Sequence, residues 1–315
     1  MKRLVLNIVG LALIISSLSA PALAQSVEQR RQKVNENTIY IVGGSLTGTN
    51  SALTWDMAKL FDDGYERRVL PILGRGSIKT TEDILYLQGV DAGMVQADVL
   101  EFFTEFDIYP NIKDNLKYIS AMHQEEVHVV VRRDAGFKSL EDLRGKKVNF
   151  GPNTSGTFLT SSVIFDRKGI TVTALDEPYD FALEKLKNGE IDAMMRIAGA
   201  PTSFLEKISQ DDQLTLLSVD EIGEPYRSAT LTSDHYPGLI APGEALETVA
   251  IPSVLVAYDH PEGARRTRVK RFAEEFRARL PELKTGASFH EKWKDVNIEA
   301  EVSGWIRWGE APPNS

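Results

Sequence analysis

No cysteine occurs among the 315 residues. That excludes disulfides, thiolate metal sites, cysteine nucleophiles and a cysteine-borne lipid anchor. Histidine is scarce as well: His123, His128, His235, His260 and His290 are all there are, and no pair has a short zinc spacing such as HExxH. His128 falls in an alternating strand pattern and reads as structural rather than catalytic, and His235, in the loop SDHYPG, is not expected to hold a metal. Positive charge is outnumbered, with Lys+Arg 36 against Asp+Glu 45 and a net charge of -9. A nucleic-acid partner is therefore not expected. The carboxylate pairs Asp62-Asp63, Glu125-Glu126 and Asp211-Asp212 read as solvated turns, and no acid/base couple stands out.

Long apolar runs are missing too, except at the start. MKRLVLNIVGLALIISSLSAPALAQS has Lys2 and Arg3, an apolar stretch from Leu4 to about Leu18, and small residues at Ala22 and Ala24. This is the pattern of a secretory signal peptide over 1–24, cut after Ala24; a retained membrane anchor is the alternative. Loss of Lys2 and Arg3 takes the net charge from -9 to -11. The remaining chain is expected in the periplasm. Its length and 42% hydrophobic content suffice for two cores without disulfides.

What is present is an alternation of strands and helices. After a polar leader at 25–37, TIYIVGG (38–44) reads as a strand, Ser51–Leu60 as a helix and RRVLPILG (67–74) as a strand. SIKTTEDILYLQGV carries a helix and DAGMVQAD a strand, followed by two more strands at 116–122 and 127–133. The rhythm restarts after Asp134 with a short helix, the strand before GPNTSGTFLT, and a helix to Gly169. Further strands and helices lead to a short helix at FLEKISQ and a strand at 214–220. ETVAIPSVLVAYDHP (247–261) is apolar with Pro252 inside it, an edge strand or a crossing segment. TRVKRFAEEFRARLPEL is a long amphipathic helix whose charges fit a solvated face. The tail reads as helical pieces, with Trp293, Trp305 and Trp308 packing onto the first lobe.

GPNTSGTFLT (151–160) is a glycine loop between strand and helix. It lacks the Lys-Ser/Thr ending of a phosphate loop and is neither GxGxxG nor GxSxG. Taken alone it is either a capped turn or an anion cradle, in which first-turn N–H groups and the helix dipole hold negative charge. GGSLTGTN (43–50) and GRGS (74–77) repeat the device: strand, glycines, hydroxyls, helix start. Three such loops at strand C-terminal ends favour the cradle, in a cleft between two α/β lobes.

The order of blocks resembles a known family. GGSLTGT, the GS at 76–77, DAGMVQADV, VVVRRDAGFKSLEDLRGKKVNFGPNTSGT, NGEIDAMMRIAGAP and the HYPG…ETVAIPSVLVAYD region are similar to TAXI-type solute receptors of TRAP transporters. The resemblance implies a type II periplasmic binding protein, a two-lobed α/β Venus flytrap whose C-terminal helices pack back on the first lobe. Lobe 1 would be 38–131 plus 250–315 and lobe 2 132–249, with the ligand cleft between them. It implies a monomeric receptor, without cofactor or catalysis, that captures a small organic anion such as a carboxylate, dicarboxylate or amino acid. The partner implied is a membrane permease driven by an ion gradient. Matching loops place ligand contacts at Ser45, Thr47 and Thr49, at Gly76 and Ser77, at Gln96, and at Ser155, Gly156 and Thr157. Gly199 and Pro201 match a strand-end turn. The chain departs from the pattern with Arg75 and Arg196, whose planar forks suit a carboxylate, sulfonate or phosphonate; for Arg196 a surface salt bridge is the alternative. The 133–157 block also suits ABC receptors for sulfonates or nitrate, and a sensor receptor is a further possibility.

Overall fold

The computed structural model describes residues 27–46, 48–64, 67–109 and 111–310. The secretory segment expected at 1–24 lies outside them. Residues 27–36, expected as a loose leader, are helical (α1). The β-branched run TIYIV forms β1 (Thr38–Val42), which pairs in parallel with β2 (Arg68–Ile72) and β3 (Ala92–Gln96). Parallel neighbours need crossovers, supplied here by α2 (Thr49–Phe61) and α3 (Ser77–Tyr86). A second parallel set follows: β5 (Lys147–Asn149) lies between β6 (Thr173–Leu175) and β7 (Ala193–Ala198), connected by α6 (Gly156–Arg167) and α7 (Tyr179–Lys187).

Two long strands join the halves. β4 (Leu116–Arg132), entered through α4 (Val99–Glu105) and α5 (Ile112–Asn115), and β10 (Ala245–Tyr258) run antiparallel from Leu116↔Tyr258 to Glu126↔Ala250. β10 also pairs with β3, and β4 with β7, giving the sheet order β2-β1-β3-β10-β4-β7-β5-β6. β8 (Leu214–Leu217) adds to β4, and β9 (Arg227–Thr232) to β10.

β4 corrects two expectations. Residues 116–122 and 127–133 are one strand, and Glu125-Glu126 is not a solvated turn. The polar HQEE segment does not break the strand because β10 takes up its backbone hydrogen bonds across the gap. Pro252, for its part, lies in a crossing strand rather than at an edge. Its missing N–H falls at a register shift, and its carbonyl accepts from the Ala97 N–H at 2.9 Å.

Two helix expectations also fail. FLEKISQ folds as successive turns started by Thr202, whose carbonyl accepts from Leu205 and Glu206. Past α8 (Ala264–Thr285), the tail has one 3-10 turn, Glu291–Asp295, and otherwise follows the first half as turns and single bridges to Tyr118 and Ala121. There the tryptophans pack as expected. Trp293 is fully buried beside Phe276 and donates to Asp56 Oδ2 at 3.0 Å, and Trp305 Nε1 donates to the Ala97 carbonyl at 2.7 Å. One apolar core lies under α2 and α8 (Leu53, Met57, Phe272, Phe276), and another lies under α7 (Ala182, Leu186, Leu205, Leu231). A third runs across both halves, from Val95 and Phe103 to Leu159 and Ile197. Among the described residues no helix is long and apolar enough to cross a membrane.

Candidate ligand-binding site

The C-terminal ends of β1, β2 and β5 each run into a short loop and then a helix start, and the three loops meet. Gly76 is at φ +116, and a Cβ there would stand 2.5 Å from the Ser155 Cα. Only a glycine allows this approach between loops of the two halves. Gly156 lies against the Gln96 side chain so closely that a Cβ would fall inside the amide.

Between these loops is a cavity of about 210 Å³. Ser45 and Thr49 line it from the first loop, and Arg75, Gly76 and Ser77 from the second. Gln96 comes from the end of β3, and Ser155, Gly156 and Thr157 from the third loop. Arg196 and Gly199 complete the wall from β7 and the turn after it. Thr47 lies outside the described residues, and Pro201 borders an adjoining cavity. Arg75 is exposed at the mouth.

Much of the expected hydroxyl chemistry is already engaged inside the protein. Ser77 Oγ donates to Gln96 Oε1 and accepts from the Gln96 N–H at 3.1 Å. Ser155 Oγ caps α6 by accepting the Phe158 N–H at 3.1 Å. Thr157 Oγ1 accepts the Ile197 N–H at 3.1 Å and so ties α6 to β7.

Glu125 anchors this network. Gln96 Nε2 donates to its Oε2 at 2.5 Å and Asn50 Nδ2 to its Oε1 at 3.1 Å, while Ser253 Oγ donates to Asn50 Oδ1 at 3.1 Å. His123 Nε2 is 3.5 Å from Glu125 Oε1. Glu125 and Tyr179, both on the cavity wall, were not among the expected contacts. Glu125 gave no signal beyond a polar interruption between apolar runs. Tyr179 reads as an ordinary helix start.

Several groups still free to meet a ligand are donors. At the starts of α2, α3 and α6 the N–H groups of Thr49, Asn50, Ser77, Gly156 and Thr157 have no hydrogen-bond partner among the described residues, whereas those of Ser51, Lys79 and Phe158 are taken by Gly48, Thr154 and Ser155. Arg196 Nε and the Tyr179 hydroxyl are buried atoms without a hydrogen-bond partner among the described residues. The guanidinium stacks 4.4 Å from the Tyr179 ring centroid. Among the described residues no carboxylate pairs with Arg196, so the salt-bridge alternative does not apply. β7 itself is fixed from behind by His128: Nδ1 lies 3.0 Å from the Arg196 carbonyl, and Nε2 lies 2.9 Å from the Tyr236 hydroxyl. Burial pushes the His128 pKa down to about 4, so this ring is a neutral structural group.

A second seam between the halves lies beside α4. Tyr226 donates to Asp98 Oδ2 at 2.7 Å, and Arg167 on α6 pairs with Glu101 on α4. Asp98 is fully buried, and desolvation pushes its pKa up to about 7 against the pull of the Tyr226 and Thr160 hydroxyls.

The model of the NMT1-like family matches residues 69–302. Among solved structures, Tv2483 bound to L-arginine is similar at TM-score 0.51 and 14% identity, over 88% of this chain and 98% of that one. XAC2383 from Xanthomonas citri bound to chloride ion is similar at TM-score 0.50 and 11% identity, over 82% and 90%. At these identities the likeness is one of fold. It is the two-lobed α/β fold of type II periplasmic binding proteins with C-terminal helices.

Proposed function

The chain belongs to the NMT1-like family, and from that premise we propose that it is an exported TAXI-type receptor that captures a small carboxylate-bearing solute and delivers it to a TRAP permease. The observation that carries this reading is the set of unengaged donors around one cavity: the leading N–H groups of three helices (Thr49, Asn50, Ser77, Gly156 and Thr157), Arg196 Nε and the Tyr179 hydroxyl. Glu125 refines it. A carboxylate has about four acceptor positions, and those on Glu125 accept from Gln96 and Asn50, with His123 Nε2 3.5 Å away. The acceptor capacity left over suits an ammonium group, which favours an amino acid over a bare anion. Capture proceeds by closure of the halves on the ligand, with Gly76 and Ser155 as the meeting point.

The test is calorimetry on protein stripped of co-purified ligand, after a thermal-shift screen of amino acids and organic acids. Arg196→Ala is expected to weaken binding by about 2–5 kcal/mol, the cost of breaking a buried charge pair. Unchanged affinity would remove Arg196 from the site. A second reading, an ABC-type receptor for a sulfonate- or nitrate-like anion, rests on the same donors, since helix starts and a guanidinium accept a sulfonate equally well. Uptake into vesicles driven by an ion gradient supports the TRAP partner, and uptake that requires ATP supports the ABC partner. A sensor receptor would drive neither.

A further inference from the structure

Beside the ligand cavity is a second one of about 390 Å³, and the two share Gly48, Thr49, Arg196, Ala198 and Gly199. Arg196 therefore borders both. The outer cavity is walled by Leu46 and Trp55 on one side and by Pro201, Thr202 and Glu206 on the other, with His290 also lining it. Leu46 and Trp55 are 75% and 53% exposed, although α2 buries Leu53 and Met57 in the core. Large apolar side chains thus stand in water next to the site. No cationic side chain pairs with Glu206 among the described residues. His290 Nδ1 accepts the Lys292 N–H at 3.1 Å, which assigns the ring proton to Nε2 as a donor.

The two cavities differ in character. The inner one offers donors and takes a carboxylate. The outer one offers an indole face and an unpaired carboxylate, which attract a cation. On the carboxylate reading of the inner cavity, we propose that the receptor selects elongated amino acids: the head group lies inside, an aliphatic chain passes Arg196, and a cationic end lies over Trp55 near Glu206. A side chain of equal length ending in a carboxylate would meet Glu206 with the wrong sign.

The test is calorimetry with alanine, norleucine, α-aminoadipate and lysine on the stripped mature chain and on two exposed-site variants, Trp55→Ala and Glu206→Gln. Lysine is expected to bind roughly three- to ten-fold more tightly than norleucine, and α-aminoadipate more weakly than both. Trp55→Ala should reduce lysine and norleucine affinity while leaving alanine unchanged, and Glu206→Gln should erase the preference of lysine over norleucine. Equal affinities for lysine and norleucine, or a Trp55→Ala effect as large on alanine as on lysine, overturns the proposal while the inner-cavity reading stands. Failure of all four to bind, alanine included, overturns the amino-acid reading of the inner cavity and this extension with it.

Discussion

Replacing Asp98 by Asn tests the seam between the halves through its dependence on pH. Asp98 is an acid whose folded pKa, about 7, lies above its ordinary value of 3.8. Below 3.8 it is protonated in both folded and unfolded chains and contributes no pH dependence. Between 3.8 and about 7 the unfolded chain releases the proton while the folded chain keeps it, so stability falls as pH rises. Above about 7 both states are ionised and the loss is complete. At 1.36 kcal/mol per pH unit it amounts to on the order of 4 kcal/mol. The Asp98→Asn variant has no ionisable group at this position, and the new amide can donate to Thr160, whose hydroxyl oxygen has no other partner among the described residues. The assay is urea unfolding of both proteins at several pH values from 4 to 8.5. The stability of the variant minus that of the parent should rise by about 2–4 kcal/mol between pH 4 and 7.5 and then level off. Taking this difference also removes the opposing contribution of His128. Its folded pKa, about 4, lies below its ordinary 6.5, so it costs about 3 kcal/mol as pH falls through that window. A flat difference curve, or one that falls with pH, would refute the argument for a buried neutral Asp98.

Three further outcomes are expected. Gly156→Ala drives a methyl into the Gln96 amide and should cost about 1–3 kcal/mol of the closed state, read as a roughly ten-fold loss of ligand affinity; unaltered binding would show that closure does not bring these residues together. Asp56→Ala leaves the Trp293 Nε1–H and the His290 N–H without their buried acceptor and should lower unfolding stability by about 2–5 kcal/mol, with a loss below 1 kcal/mol counting against that role. Tyr236→Phe removes the hydroxyl shared by His128 and the Thr202 N–H and should cost about 1–3 kcal/mol in the same urea assay; a neutral result would show that the hydroxyl is dispensable to this packing.

The three loops were legible because each is a local signature. A β-branched run, glycines, hydroxyls and a helical period occupy about twenty consecutive residues in each, as in TIYIVGG followed by SLTGTNSALTW. What could not be read were partnerships across the chain. Glu125 meets Asn50 from 75 positions away and Gln96 from 29, and neither contact leaves a mark on local composition. The same limit explains HQEE, which reads as a turn unless β10 is known to lie alongside. It also explains the hydroxyls. Ser77, Ser155 and Thr157 line the cavity, but their sequence could not show that Gln96, the Phe158 N–H and Ile197 already engage them. FLEKISQ is the opposite case, a segment with helical composition whose backbone instead follows the turn set by Thr202.

Glu125 also bears on what the cleft ignores. A receptor outside the cytoplasm works in a background of abundant inorganic anions, each able to settle on helix starts and a guanidinium. In its ionised form the buried Glu125 carboxylate sets a negative charge beside those donors, held in place by Gln96 and Asn50. An incoming bare anion gains the donors but meets that repulsion in a poorly screened site. A solute carrying its own positive group next to its carboxylate meets attraction at both ends. On the proposed amino-acid reading, the acidic residue would work as a filter against the commonest competitors, leaving the cleft to solutes of balanced charge.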